Sequence, residues 1–315
     1  MNPSAVDRRI RALRPLKPRV DPQRAHGSLV EEERRPDGSR ERALTVFLAG
    51  AECPFTCSFC DLWRWTIDGP TPAGALPAQI EEVLRGLDGP LPERIKLYNA
   101  SNFFDRRAVP PSDLPRIAAL TAPCESVTVE SHASTVGPAT LAFARQIDGK
   151  LEVAMGLETI HPVAAAHLNK RLDLARFADA ARFLTDHGID LRVFVLLGAP
   201  HVPAQESVAW TVSTVEHAVE HGASVVSIIP VRGGNGEMER LQSLGAFTPP
   251  TLRQLEAALD ACARFDDCVV TADLWNVDGL SGCSDCRADR VRRMRELNVS
   301  GRAGAPVVCA TCDRP

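Results

Sequence analysis

No stretch of this 315-residue chain approaches the roughly 20 consecutive apolar residues that span a bilayer, so no membrane-spanning helix is expected. Residues 1–20 alternate Arg, Pro and Leu without an apolar h-region, and no secretory signal is expected either. A soluble, cytoplasmic protein follows as the expectation. In that compartment thiols stay reduced, so the ten cysteines are not expected to form disulfides. The chain also lacks internal repeats beyond a strand–helix rhythm, low-complexity tracts and hairpin signals. The run Gly233-Gly234-Asn235-Gly236 lacks the Lys-Ser/Thr that would make it a phosphate loop, although it can approach a nucleobase.

Charge is present but unevenly spread. The formal net charge is −4, yet residues 1–25 sum to +5 and residues 281–315 to +3, leaving −12 for the body between them. Basic ends on an acidic body suit either a solvated arm and tail or a track for a phosphate backbone.

From residue 44 onward, short apolar runs alternate with helical periodicity. The runs cover 44–50, 95–101, 126–131, 151–158, 191–198 and 224–231, each nearly continuous in apolar character, as parallel strands covered on both faces require. Helices are expected at 76–87, 112–121, 137–147, 161–188 with a break near Asn169, 204–221, 236–244 and 251–265, with an edge strand at 268–275. Residues 1–42 have little apolar periodicity and read as a basic, extended or partly ordered N-terminal arm. Six strand–helix alternations imply an α/β fold with a parallel sheet over 43–275, followed by a cysteine-rich tail at 276–315. In such folds function gathers at the C-terminal ends of the strands.

After the first run comes Cys53-Pro-Phe-Thr-Cys57-Ser-Phe-Cys60. Soft thiolates suit iron–sulfur clusters, and three of them in eight residues, with no fourth nearby, leave one iron open to an outside ligand. Buried unligated thiols or zinc are the competing readings of the same residues. The Cys-x3-Cys-x2-Cys spacing directly after a strand resembles the signature of the radical S-adenosylmethionine (radical SAM) superfamily, and Phe59 matches its usual aromatic position. The resemblance implies a partial (βα)6 TIM-like barrel and a 4Fe–4S cluster on Cys53, Cys57 and Cys60. It further implies that the open iron binds the amino and carboxylate groups of SAM. One electron, from a donor such as flavodoxin or ferredoxin, would then release a 5′-deoxyadenosyl radical that abstracts hydrogen from a substrate.

Other strand ends supply candidate SAM contacts. Asn99 and Ser101 stand where many members carry Gly-Gly-Glu, and they either accept from the SAM ammonium or shape a turn. Glu130 and Glu158 end apolar strands, where a carboxylate needs a partner: a ligand, or an internal Arg or Lys. Lys170 and Arg171 lie where relatives often place a base for the SAM carboxylate, and Arg suits a carboxylate bidentately. His132, His161 and His201 follow strand ends and read mainly as structural hydrogen-bonders. The segments Leu97 to Asp105, Gly156 to Pro162 and Leu168 to Arg171 resemble the branch holding the elongator catalytic subunit, methylthiotransferases and coproporphyrinogen oxidases, with the radical SAM partner of archaeosine synthase most alike. That implies a tRNA base as one substrate reading, beside a small metabolite or peptide, and beside a non-enzymatic nucleic-acid-binding metalloprotein.

In the tail, Cys283-x2-Cys286 and Cys309-x2-Cys312 flank a basic helical stretch at 287–295. Two such knuckles present four thiolates, as structural zinc requires. A second iron–sulfur cluster is the alternative. Cys124, Cys262 and Cys268 are isolated and read as core.

Overall fold

The computed structural model describes residues 4–302 and 304–312. It holds eight strands: β1 (Gly27–Arg34), β2 (Arg40–Phe47), β3 (Arg94–Tyr98), β4 (Ser126–Ser131), β5 (Lys150–Glu158), β6 (Asp190–Leu197), β7 (Val225–Pro230) and β8 (Val269–Ala272). The helices are α1 (Ala5–Leu13), α2 (Ala75–Arg85), α3 (Leu114–Thr121), α4 (Pro138–Ala144), α5 (Pro162–His167), α6 (Leu174–Asp186), α7 (Ser207–Glu220), α8 (Glu237–Ser243), α9 (Leu252–Cys262) and α10 (Ser284–Ser300). The strands form one sheet in chain order, with β1 antiparallel to β2 and every later pair parallel. This is an α/β, TIM-like partial barrel, nearly closed, with a cysteine cluster near its C-terminal end. No helix among the described residues is long and apolar enough to cross a membrane.

The six apolar runs become β2 to β7 and the expected edge strand becomes β8. Alternation along each strand explains why. One face carries Val46, Leu97, Val129, Val153, Val193, Val226 and Val270, packed in a core with Leu76, Ile80, Phe143, Phe177 and Leu255 of the surrounding helices. Cys124, Cys262 and Cys268 are buried in that core as expected. The long helical stretch breaks into α5 and α6 around Asn169, which has a positive φ of 53°.

The other face points into the barrel and is ionic at its base. Arg94 bonds Glu41 at 2.6 Å, Arg192 reaches Glu152 at 2.7 Å and Glu33 at 2.9 Å, and Lys96 holds Glu31 at 2.9 Å and also pairs with Glu33. Higher up, the half-buried Phe47 pairs laterally with Tyr98, and Gly156, Phe194, Ser227 and Thr271 pair in series on the facing strands; the Tyr98 and Phe194 rings meet edge-on with centroids 6.1 Å apart.

Residues 4–42, expected to be extended or partly ordered, contain two regular elements. They carry α1, which opens with a capping box at Ser4 and Asp7, and β1. The Val30-Glu31-Glu32-Glu33-Arg34 stretch hides a strand because its inward residues are glutamates that neutralise Lys96 and Arg192 inside the barrel. For the same reason β2 starts at Arg40, ahead of the apolar run, so that Glu41 can meet Arg94.

This network makes stability acid-sensitive. Burial alone would raise the Glu33 carboxyl, but the Arg192 and Lys96 charges overcome it and hold the group well below its ordinary 4.5. Glu152 is likewise lowered against its burial by Arg192 and Arg94. A depressed folded-state value means the stabilisation is fully present above the unfolded value and is lost as pH falls through the folded one. Thermal midpoints should therefore hold from neutrality down to about pH 5 and then fall. In Glu33→Gln that acid-dependent loss should shrink; an identical pH profile would remove Glu33 from the explanation.

Candidate functional site

The three-cysteine loop follows β2 at the C-terminal mouth of the barrel and is clamped from several sides. Asn102, after β3, brings its amide to Cys53 Sγ at 3.5 Å, while its carbonyl accepts from the His132 amide at 2.8 Å. Asn169, after α5, donates to the Thr56 carbonyl at 2.8 Å, and the Leu168 carbonyl accepts from Ser58 N at 2.9 Å. Asn235, after β7, donates to the carbonyls of Ser58 at 2.8 Å and Cys60 at 3.2 Å. The Gly-rich run thus positions the cysteine loop through Asn235. Phe55 stacks on His132 with ring centroids 4.2 Å apart, and Phe59 packs against a small apolar cluster that includes Leu168, Val231 and Met238.

The fourth clamp is α1. Asp7 is buried and accepts from Thr56 Oγ1, from Asn169 Nδ2 at 2.9 Å and from Arg171 at 2.6 Å. Arg9 pairs with Glu237, Arg14 with Glu52 and Lys17 with Asp68, so much of the N-terminal positive charge is used within the fold. Sequence gave no hint of this, since Asp7 lies 49 residues from Thr56. Asp7→Ala should cost about 1–3 kcal/mol, the penalty for stranding buried donors. It should also speed amide exchange across residues 53–60; unchanged exchange there would show that α1 does not hold the loop.

Lys170 sits beside the cysteines. Its ammonium meets Glu158 at 2.6 Å, and the two side chains are 13% and 6% exposed. Burial pushes the Cys57 thiol up to about 12 and Cys60 well above its ordinary value, while Lys170 pulls Cys57 the other way. Such thiols are poor nucleophiles alone and become thiolates under the charge of a metal. Gly156 makes room for the ion pair: a Cβ there would strike both Glu158 Oε1 and Lys170 Nζ.

Glu130 turns back on its own neighbourhood. It accepts the Asn99 amide at 2.7 Å and the amides of Ala100 and Ser101, and burial pushes its carboxyl up to about 7 against those bonds. Held around this carboxylate, the turn buries the Asn99 side-chain amide and the Ser101 hydroxyl without a partner for either. Unpaired buried polar atoms of this kind call for a ligand or water. Arg171 is directed to Asp7, with its side chain 36% exposed. His132 bonds the Lys170 carbonyl at 3.2 Å, and burial lowers it to about 4, so it is neutral near pH 7. His161 caps α5 through Ala164 N, and His201 packs against His167 with ring centroids 4.6 Å apart.

Ala100, Glu158 and His201 end or follow strands, Asn169 and Arg171 lie between α5 and α6, and all five have positive φ. A non-glycine residue in that region costs roughly 1–3 kcal/mol and persists where surroundings over-determine it, commonly at functional sites. Three thiols, an adjacent ammonium and the orphaned Asn99 and Ser101 atoms fit a cluster with one open iron and a polar ligand on it.

In the tail, the sulfurs of Cys283, Cys286, Cys309 and Cys312 all lie within 4.8 Å of one another. Cys283 caps the start of α10 and Cys286 lies one turn in, while Cys309 and Cys312 come from the segment that follows the helix.

No protein-family model and no curated protein matches this chain. Solved structures do. Methylornithine synthase superposes with a TM-score of 0.54 at 17% identity, over 80% of this chain and 68% of that one. A radical SAM methyltransferase from Sphaerobacter thermophilus gives 0.51 at 14%, over 86% and 81%. The N-terminally truncated Elp3 of the archaeon Methanocaldococcus infernus gives 0.51 at 12%, over 71% of this chain and 58% of that one. At such identities the likeness speaks for the fold alone, and that fold is the TIM-like barrel found in radical SAM enzymes.

Proposed function

We propose that this chain is a radical SAM enzyme. One observation carries the reading: Cys53, Cys57 and Cys60 lie on a single loop at the barrel mouth, clamped by Asn102, Asn169, Asn235 and Asp7. When bound there, a 4Fe–4S cluster supplies the electron that reductively cleaves SAM, drawn from a donor such as flavodoxin or ferredoxin. The three cysteines would hold it, and Lys170 would offset the negative charge of the thiolates. The unpartnered Asn99 amide and Ser101 hydroxyl suit the ammonium or hydroxyl groups of SAM. Glu130 keeps their turn in shape, and Glu158 orients Lys170. Phe59 packs the loop against its small apolar cluster. Arg171, ion-paired to Asp7, has enough exposure to reach a carboxylate as well. An oxygen-sensitive centre of this kind suits the reducing cytoplasm. The test is anaerobic reconstitution followed by assay for 5′-deoxyadenosine with dithionite and SAM.

Two substrate readings follow. A tRNA base rests on the resemblance to the elongator and archaeosine branch and on the basic ends. Pairing of Arg9, Arg14, Lys17, Arg290 and Arg293 with the chain's own carboxylates makes those side chains less available to a phosphate track, which favours a small metabolite or peptide as substrate. Comparing tRNA nucleosides and metabolites after gene deletion separates these two readings. A brown, oxygen-sensitive protein that turns over SAM would dismiss the non-enzymatic alternative.

A further inference from the structure

We propose that Cys283, Cys286, Cys309 and Cys312 hold one tetrahedral ion of the zinc class, and that this ion is the clasp keeping α10 across the open seam between β1 and β8. The first half follows from distances. Cys286 and Cys312 sulfurs are 3.4 Å apart and those of Cys283 and Cys309 3.9 Å, too long for a disulfide bond. Four thiolates at about 2.3 Å from one zinc stand about 3.8 Å from each other. A 4Fe–4S cube bonds each thiolate to a different iron at a different corner, which spreads the sulfurs further than the 4.8 Å limit this group meets. The surroundings suit a closed thiolate site. Arg290 Nε donates to Cys286 Sγ at 3.1 Å and is itself fixed by Glu256. Donors of this kind relieve the negative charge of ligating sulfurs.

The second half follows from what else holds the tail. Residues 304–312 bury almost nothing: Cys309 is buried, whereas Val308 is 88% exposed. Their remaining ties are polar, from Arg293 to the Gly304 and Ala305 carbonyls, Arg290 to the Val307 carbonyl, Arg253 to the Cys312 carbonyl, and Thr311 to Asp285. Such a segment has no apolar reason to stay put, and metal ligation supplies one. Its anchor is the first turn of α10, and α10 closes the sheet. Both β1 and β8 pair on one side only. Asn298 donates to the Ala272 carbonyl and accepts from the Ala272 amide, both at 2.9 Å, satisfying the free edge of β8. At the same end of the helix a Cβ on Gly301 would strike the Arg34 guanidinium of β1. Earlier on the helix Val291, Met294 and Leu297 enter the main core.

The proposal stands independently of the radical SAM reading, and the test keeps the two apart. In the full chain carrying Cys53→Ser, Cys57→Ser and Cys60→Ser, metal analysis should find about one zinc per chain and no iron. Retained iron with a cluster spectrum, or no metal at all, would overturn the single-ion site. Should that variant not fold, wild-type chain purified anaerobically must still carry zinc beside its iron; iron without zinc overturns the proposal. For the clasp, stripping the zinc with a chelator, or replacing Cys309 and Cys312 with Ser, should raise amide exchange several-fold in residues 27–34, 269–272 and 284–300. Residues 126–131 and 190–197, on the far side of the barrel, should be unchanged. Unaltered exchange in β1 and β8 would mean that the ion orders the tail alone.

Discussion

Cys57→Ala is expected to form no 5′-deoxyadenosine above background under conditions where the reconstituted wild-type chain forms it from SAM and dithionite. Removing one of three thiolates leaves two ligands for a cluster that needs three to present a single open iron. The loop itself should survive the change, because its clamps act on neighbouring atoms: Asn235 on the Ser58 and Cys60 carbonyls, Asn169 on Thr56, and Asn102 on Cys53. Iron content should fall with the activity while the circular dichroism spectrum stays that of the wild type. Equal product from variant and wild type would end the radical SAM assignment. A change that lost both fold and iron would instead be read through Cys60→Ala and Cys53→Ala, whose loss of product is expected to be just as complete.

Lys170→Met should destabilise the folded protein by about 3–5 kcal/mol, because it leaves the Glu158 carboxylate buried without its counter-charge. The partners are 2.6 Å apart and nearly closed to solvent, and Glu158 holds a positive φ of 69° at the irregularity that ends β5. Combining Lys170→Met with Glu158→Gln should recover most of the loss, since a neutral pair carries no uncompensated charge. Denaturant midpoints of the cluster-free protein measure this; additive losses in the double variant would mean that the two groups are not partners. Glu158→Gln alone also separates the two roles open to this carboxylate. If it contacts SAM as well as Lys170, SAM affinity should drop by about 1.5–3 kcal/mol, the usual worth of a hydrogen bond to a charged group. Unchanged affinity would leave Glu158 with the single task of orienting Lys170.

Much of this site was legible because its signals are local. The three cysteines share one short loop, and a strand ending in a carboxylate announces itself against an apolar run. Glu130, Glu158 and the Asn99–Ser101 turn stood out this way; the internal Lys offered as one partner for Glu158 is Lys170, whereas the contacts of Glu130 were not legible. Glu130 accepts from amides of the turn after β3, and Arg171 meets an aspartate from the far end of the chain. Asn102, Asn169 and Asn235 were not legible as clamps, since an asparagine after a strand or a helix reads equally as a turn residue.

Periodicity in the sequence determined the six-fold strand and helix alternation and the parallel sheet, because a strand covered on both faces needs a continuous apolar run. Spacing alone gathered the seven cysteines into two groups. Tertiary structure decided what the polar segments do. The glutamate-rich stretch before residue 35 became a strand because Lys96 and Arg192 already faced inward, and α1 docked because Asp7 meets Thr56, Asn169 and Arg171. Charges pair across any sequence distance and carry no period, so their partners emerge only once the apolar framework has brought them face to face.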